Sequence, residues 1–241
     1  MVKQIITKLS DYKPYPFLIP NININFDIGN DKVIVESIMT VEPKTEKASK
    51  LFLNGSHIKL SSICINGREL EGEEYHLAEE SLVIDKTPSS AFELKIKSSI
   101  NPFKNSSLEG LYLSSGMLTT QCEAEGFRRI CFHPDRPDVL SKYSVRIEAD
   151  YSKYPVLLSN GNRKKSAKIR ENPNRHEVFW EDPFPKPSYL FALVAGKLSK
   201  VSDIYETCSG RIIDIQIYVE DGDQKYTKHA ITSLKKAMKW D

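Results

Sequence analysis

Net charge is almost absent from this chain. Its 34 lysines and arginines face 32 aspartates and glutamates, leaving +2 over 241 residues. That balance provides no electrostatic footprint for nucleic acid. Long apolar runs are absent too. No window approaches the roughly 20 residues that cross a bilayer as a helix, so no membrane partner is expected. The opening Met1–Val2–Lys3–Gln4–Ile5–Ile6–Thr7–Lys8 lacks the apolar stretch of a secretion leader. Cysteine is scarce: Cys64, Cys122, Cys131 and Cys208 show no CxxC or other metal-like spacing. Cys122 and Cys131 are close enough in sequence to pair, but free thiols in a reducing compartment are the simpler reading, and the chain reads as cytoplasmic. Asn54–Gly55–Ser56 and Asn105–Ser106–Ser107 fit the glycosylation pattern, which means nothing without secretion. The five histidines, His57, His76, His133, His176 and His229, include no pair four residues apart. A zinc-binding H-E-x-x-H is therefore missing; His176–Glu177 begins like it, but Trp180 stands at the second histidine position. No nucleophile elbow supports a Ser-His-Asp arrangement.

What is present is mostly strand. With 40% apolar and 27% charged residues the composition is that of a soluble globular protein. Ile22, Ile24, Phe26 and Ile28 alternate with Asn23, Asn25 and Asp27, which predicts a half-buried strand. Gly29–Asn30–Asp31 supplies a turn, and Lys32–Val41, rich in β-branched residues, a partner strand. Leu51–Leu53, Ile58–Leu60, Ile63–Ile65, Leu82–Ile84 and Phe92–Ile96 follow, with turn signals at Asn54–Gly55 and Asn66–Gly67. Closely spaced strands with short turns indicate antiparallel sheets, not βαβ units. Tyr143–Ala149 and Ile213–Val219 alternate in turn, and Tyr189–Val194 is apolar on both faces, as a central strand would be. Arg163–Lys164–Lys165, with Lys168 and Arg170, sits beside Asn160–Gly161–Asn162 and reads as a solvated hairpin tip. Only after Asp221 does the period become helical, with Tyr226, Ala230, Leu234, Ala237 and Met238 on one stripe. The chain stops at Trp240–Asp241 without a glycine cap, as a truncated sequence would.

One segment breaks the pattern. Residues 121–138 hold four acids, three arginines and a glutamine with neither helical nor strand period. Charged, aperiodic sequence between strands makes poor core and a plausible site, because loops on rigid scaffolds commonly carry function. A solvated loop with local ion pairs is the alternative.

The residues of this segment also carry a resemblance. Thr120–Gln121–Cys122–Glu123–Ala124–Glu125–Gly126–Phe127–Arg128 and Asp135–Arg136–Pro137–Asp138–Val139–Leu140 resemble the amino-terminal domain of the bacterial aminopeptidase N family, zinc aminopeptidases of the thermolysin-like superfamily. Matches continue in order at Leu157–Asn162, Asp182–Pro187, Tyr189–Gly196 and Thr232–Asp241. The resemblance is dense over about residues 105–241 and lies mainly in strand pattern before that. It implies a mainly β fold: a large antiparallel, multi-stranded β domain with sandwich- or saddle-like sheets over residues 1–195, then a strand-and-helix start of a truncated catalytic domain over 196–241. It implies a parent enzyme that removes amino-terminal residues from peptides with zinc. The substrate motif G-x-M-E-N and the transition-state tyrosine of the family are absent here along with H-E-x-x-H. No catalytic or metal-binding residue is therefore expected in this chain, no zinc is expected to bind it, and alone it should be inactive.

What the resemblance does assign is substrate binding. Glu123 is implied as acceptor for the substrate's α-ammonium, and Gln121 as an orienting polar contact at the first side-chain pocket. Carboxylates suit this task because burying an ammonium without counter-charge is costly. The structural alternative for Glu123 is a salt bridge to Arg128 or Arg129. Glu125 and Arg136 are expected to hold the loop. Two loop residues entering a pocket at a fixed angle lead us to expect a non-proline cis peptide near Glu123–Ala124. The chain departs from the family at Cys131–Phe132–His133–Pro134, where an aromatic pair is common; His133 reads as an exposed loop imidazole. The implied partners are a peptide with a free amino terminus and the remaining catalytic domains of the same polypeptide. The rival reading is a non-catalytic β-sheet binding module, since fold alone does not fix function.

Overall fold

The computed structural model describes residues 8–45 and 50–241; residues 1–7, part of the segment read above for a leader, lie outside them. Alternation turns into strands as the sequence dictates. The first nine are β1 (Phe17–Ile28), β2 (Val33–Pro43), β3 (Leu51–Asn54), β4 (Lys59–Ile65), β5 (Arg68–Glu69), β6 (Tyr75–Ala78), β7 (Ser81–Ile84), β8 (Phe92–Ile100) and β9 (Gly110–Ser114). Then come β10 (Met117–Gln121), β11 (Ser141–Asp150), β12 (Val156–Ser159), β13 (Asn162–Ile169), β14 (Asn172–Lys186), β15 (Leu193–Gly196), β16 (Ser199–Glu206), β17 (Ile212–Val219) and one helix, α1 (Thr227–Trp240).

An eight-stranded sheet runs in the order β13-β14-β11-β1-β2-β8-β4-β5. In β1, Ile22, Ile24, Phe26 and Ile28 are all buried, and β2 and β8 bury alternate residues in the same way. Fully burying one such side chain contributes roughly 1.5–3 kcal/mol. Two smaller sheets, β12-β15-β10-β9 and β3-β7-β6, add Leu118, Leu193, Leu51, Leu53 and Ile84 to one continuous core with the large sheet. This is the mainly β, multi-sheet architecture the sequence implies. The turns follow their residues: the Gly29 amide donates to the Lys32 carbonyl at 3.0 Å, and Asn66 (φ 49°) and Gly67 (φ 80°) take the positive φ that a tight β4–β5 hairpin needs.

Four local readings change. One pairing is parallel: β1 lies beside β11 with Ile22 opposite Tyr143 and Phe26 opposite Ile147. Between these strands the chain adds β2, β4, β5 and β8 to the far side of the large sheet and builds strands of both smaller sheets before it returns beside β1, a connection that no hairpin makes. Of the basic run, only Arg170 lies at a hairpin tip, the turn between β13 and β14. Gly161 (φ 82°) carries the chain from the four-stranded sheet to the eight-stranded one, and Arg163, Lys164 and Lys165 lie along the edge strand β13. Tyr189–Val194 is not one strand: Ser188–Leu190 is a 3-10 turn, and the central strand β15 begins at Leu193. Finally, α1 is rotated from its apolar stripe. Thr227 is buried and Ile231, Lys235 and Met238 half-buried, while Tyr226, Ala230, Leu234 and Ala237 are exposed. On this buried side Lys235 makes a 2.6 Å ion pair to Asp203 of β16.

Among the described residues β16 and β17 pair only with each other. Ile215 is the one buried apolar residue of this hairpin, and it stands outside the main core.

Candidate functional site

The aperiodic segment begins where β10 ends. β10 is held on both sides, by β9 (Gln121 opposite Gly110) and by β15 (Leu118 opposite Ala195). The chain then turns back within five residues. The Gly126 amide donates to the Cys122 carbonyl at 2.8 Å, and the Glu123–Ala124 peptide is cis, as the sequence reading expects. Gly126 is required here, because a Cβ would lie 2.2 Å from the Gln121 carbonyl oxygen and 3.0 Å from the Gly110 nitrogen.

The turn is pinned by burial on either side of Glu123. Cys122 is buried, and Phe127 is fully buried in an aromatic cluster with His133 (ring centroids 5.3 Å apart), Phe191 (5.2 Å) and Tyr143 (6.1 Å). Between these anchors Glu123, Ala124 and Glu125 point outward. Gln121 is also exposed, and its side-chain amide donates to the Glu123 carbonyl oxygen at 3.0 Å. The structure thus brings the two predicted binding residues together on one turn.

Most other charges of the segment are committed to holding it. Asp135 is buried; its Oδ2 accepts from the Arg128 amide and Nε, both at 3.1 Å, and its Oδ1 from the Ser188 hydroxyl at 2.6 Å. Its own amide donates to the Asn54 side chain at 3.1 Å. Glu125 pairs with the other side of Arg128 at 3.1 Å. Arg136 makes a two-pronged pair with Asp138 at 2.7 and 2.8 Å and donates to the Lys13 carbonyl at 2.8 Å, with its guanidinium near the rings of Tyr12 and Tyr15. Hydrogen bonds from Arg136 hold the Asp138 carboxyl down to about 2. Glu125 and Arg136 therefore hold the loop as expected. The salt bridge considered for Glu123 does not form: Arg128 is taken by Glu125 and Asp135, and the nearest carboxylate of Arg129 is Glu109 at 3.8 Å. Among the described residues, nothing donates to the Glu123 carboxylate.

Two sequence readings are corrected or extended here. His133 is not exposed; it is fully buried, neither ring nitrogen has a partner, and burial pushes its pKa down to about 3. Its backbone bridges Asn54 through bonds of 2.9 and 3.1 Å, which draws the ring into the core. That bridge also explains Asn54–Gly55, which meets the loop instead of closing a hairpin; a Cβ on Gly55 would fall 2.2 Å from the Phe132 ring. The Asp135–Ser188 bond escaped sequence reasoning because its partners are 53 residues apart and no local pattern links them.

All four cysteines are free thiols; burial pushes Cys122 up to about 12 and Cys131 higher still. Among the described residues no group of three or more His, Cys, Asp or Glu could hold a metal ion. Among the same residues no helix is long and apolar enough to cross a membrane. A cleft of about 460 Å³ is lined by Glu125, Arg128, Asp135 and Arg136 with Tyr15 and Asn54, but not by Gln121 or Glu123.

Fold and loop together define an amino-terminal β domain of the aminopeptidase type, a rigid multi-sheet scaffold that presents one unpaired carboxylate on a tightly pinned turn. The chain belongs to the Peptidase M1 N-terminal domain family, whose model matches residues 13–190. It is 48% identical over 233 residues to aminopeptidase N of Caulobacter vibrioides and 43% identical over 231 residues to aminopeptidase N of Escherichia coli, covering 97% and 96% of this chain. The chain spans 26% of the length of each of those relatives. Among solved structures it resembles Legionella pneumophila aminopeptidase A, determined in complex with aspartic acid, at a TM-score of 0.92 and 36% identity over 98% of this chain and 28% of that one. An M1 zinc metallopeptidase from Deinococcus radiodurans shares the fold at a TM-score of 0.72 and 13% identity, over 86% of this chain and 48% of that one.

Proposed function

We propose that this chain is the amino-terminal part of a cytoplasmic zinc aminopeptidase that removes amino-terminal residues from peptides, and that Glu123 and Gln121 bind the substrate's free amino terminus. In this reading residues 1–195 form the β domain and residues 196–241 begin the catalytic domain. Glu123 accepts the α-ammonium as a charge-assisted partner, and Gln121, anchored to the Glu123 carbonyl, sets the orientation of the first substrate residue. One observation carries the assignment. Glu125, Asp135 and Asp138 are all engaged by arginines, while the Glu123 carboxylate is unpaired and exposed between two buried anchors. An unpaired acid on a turn whose backbone is held by buried neighbours suits a cation that arrives from outside.

The residues here do not fit a zinc ion, because the histidine spacing and the described side chains offer no ligand set. Zinc belongs, in this proposal, to the rest of the parent polypeptide, and no step is derived through it. Likewise the chain supplies binding and no catalytic residue.

The test is peptidase activity of the longer product of the encoding gene, with zinc and a panel of amino-terminal chromogenic amides. This 241-residue chain is assayed beside it. Glu123→Ala in the longer protein should lower kcat/KM roughly 10–100-fold, the size expected for one lost charge-assisted contact. Activity unchanged by Glu123→Ala would overturn the ammonium role. Activity in this chain alone would overturn its purely binding part.

A further inference from the structure

Arg129, whose ion pair is a loose one to Glu109 at 3.8 Å, and Lys104, which has none among the described residues, stand in a polar cleft. The cleft, about 630 Å³, opens between the turn after β3 and the segment after β8. Both walls are fixed. On one side the Ser56 amide donates to the Arg128 carbonyl at 2.8 Å, and the Ser56 hydroxyl meets His57 Nδ1 at 2.8 Å, with His57 itself at φ 59°. On the other side the Asn101 side chain accepts from the Lys104 amide at 3.2 Å. The Asn105 side chain donates to the Glu109 and Leu111 carbonyls at 2.8 and 2.9 Å and accepts from the Ser107 hydroxyl at 2.7 Å.

His57, Lys104 and Arg129 line the opening, and Ile100, Pro102 and Leu111 give it an apolar floor; no acid lines it. Arg129 is the informative member. Its side chain is only 18% exposed, its Nε is buried without any hydrogen-bond partner, and Glu109 at 3.8 Å is too far for a hydrogen bond. The neighbouring Arg128, equally buried, is engaged by both Asp135 and Glu125. Lys104 makes no ion pair among the described residues. A largely buried guanidinium N–H with no acceptor is costly unless an acceptor arrives. Rigid cationic walls around an apolar floor recognise an anion that carries an apolar body.

We propose that this cleft is a binding site for a small organic anion, a phosphate or carboxylate bearing an apolar group, held by Arg129 and Lys104. It involves neither Gln121 nor Glu123, so it stands or falls separately from the peptide-binding reading.

The test is amide NMR and calorimetric titration of the 241-residue chain, and of the longer gene product, with phenyl phosphate, benzoate and neutral phenol at fixed ionic strength. Phenyl phosphate or benzoate should shift the amides of Asn101, residues 103–107 and Arg129, and the tighter of the two identifies the anion class. Lys104→Gln and Arg129→Gln should each weaken that binding by about tenfold or more. Lys104 is exposed, so its variant keeps the test valid should Arg129→Gln lose stability; thermal unfolding checks both. Four results would overturn the proposal. Phenyl phosphate and benzoate could both fail to bind. Phenol could bind as well as the anions, marking a merely apolar hollow. Lys104→Gln could bind the anions like the parent chain. Binding could occur in the 241-residue chain but not in the longer product, which would mean that an acidic side chain of that polypeptide already fills the cleft.

Discussion

His133 sits fully buried with both ring nitrogens unpartnered, its ring packed against the edge of Phe127. Desolvation lowers its folded pKa from an ordinary 6.5 to about 3. Between those values the unfolded chain binds a proton that the folded chain refuses. The neutral ring is therefore tolerated above about pH 6.5, and stability falls as pH drops from there toward 3, by up to about 1.4 kcal/mol per pH unit. Replacing the ring with a phenyl group removes both the proton and the unsatisfied nitrogens. His133→Phe should raise the free energy of unfolding at neutral pH by about 1 kcal/mol and flatten the acid-side loss. Urea unfolding at pH 7 and pH 5 checks this; an equal pH dependence in both proteins would refute it. The exposure of this residue could not be read from sequence, because a Cys-Phe-His-Pro run has no period, and only the bridge to Asn54 turns it inward.

At the scale of elements, the loop is a turn built on one glycine and one aspartate. Gly126→Ala would drive a methyl group into the Gln121 carbonyl at 2.2 Å, so the turn must open at a cost of about 1–3 kcal/mol. Asp135→Ala would leave the Ser188 hydroxyl without its acceptor and the Arg128 guanidinium with Glu125 alone, and loss of one partner from such a buried pair costs about 3–5 kcal/mol. Both values are measurable as shifts in denaturant midpoint. A change under about 0.5 kcal/mol in either would mean the loop is not held as described. Strands were legible in outline: alternation in β1, β2, β8 and β11 marks the faces that are buried. The place of the basic run was not, since a solvated turn and an exposed edge strand favour the same lysines. On β13 they blunt the open edge, with Lys164 and Lys165 paired to Glu181 and Glu177 across the strand.

For the molecule as a whole, the main core unites three sheets, while β16, β17 and α1 stand apart with apolar surface uncovered. Ile204, Ile212, Tyr226, Leu234 and Trp240 are all exposed there, Trp240 at 89%. Apolar surface of this kind is sticky. The 241-residue chain should self-associate with rising concentration, and Ile212→Lys with Leu234→Lys should shift it toward monomer in sedimentation velocity without lowering the unfolding temperature of the β domain. Self-association unchanged in the double variant would place the contact elsewhere.

By itself the sequence determined the class of fold, because a period of two is a local property that each strand writes into its own residues. It determined Gln121 and Glu123 as candidates too, since an intact motif is contiguous in the chain. The tertiary structure decided everything that depends on distant partners. It set the parallel seam between β1 and β11, the burial of His133, the face that α1 turns inward, and the bond from Asp135 to Ser188. It also decided which acid of the loop stays unpaired. Glu123 and Glu125 are alike in sequence, two residues apart, and only the fold brings Arg128 to Glu125 and leaves Glu123 without a partner.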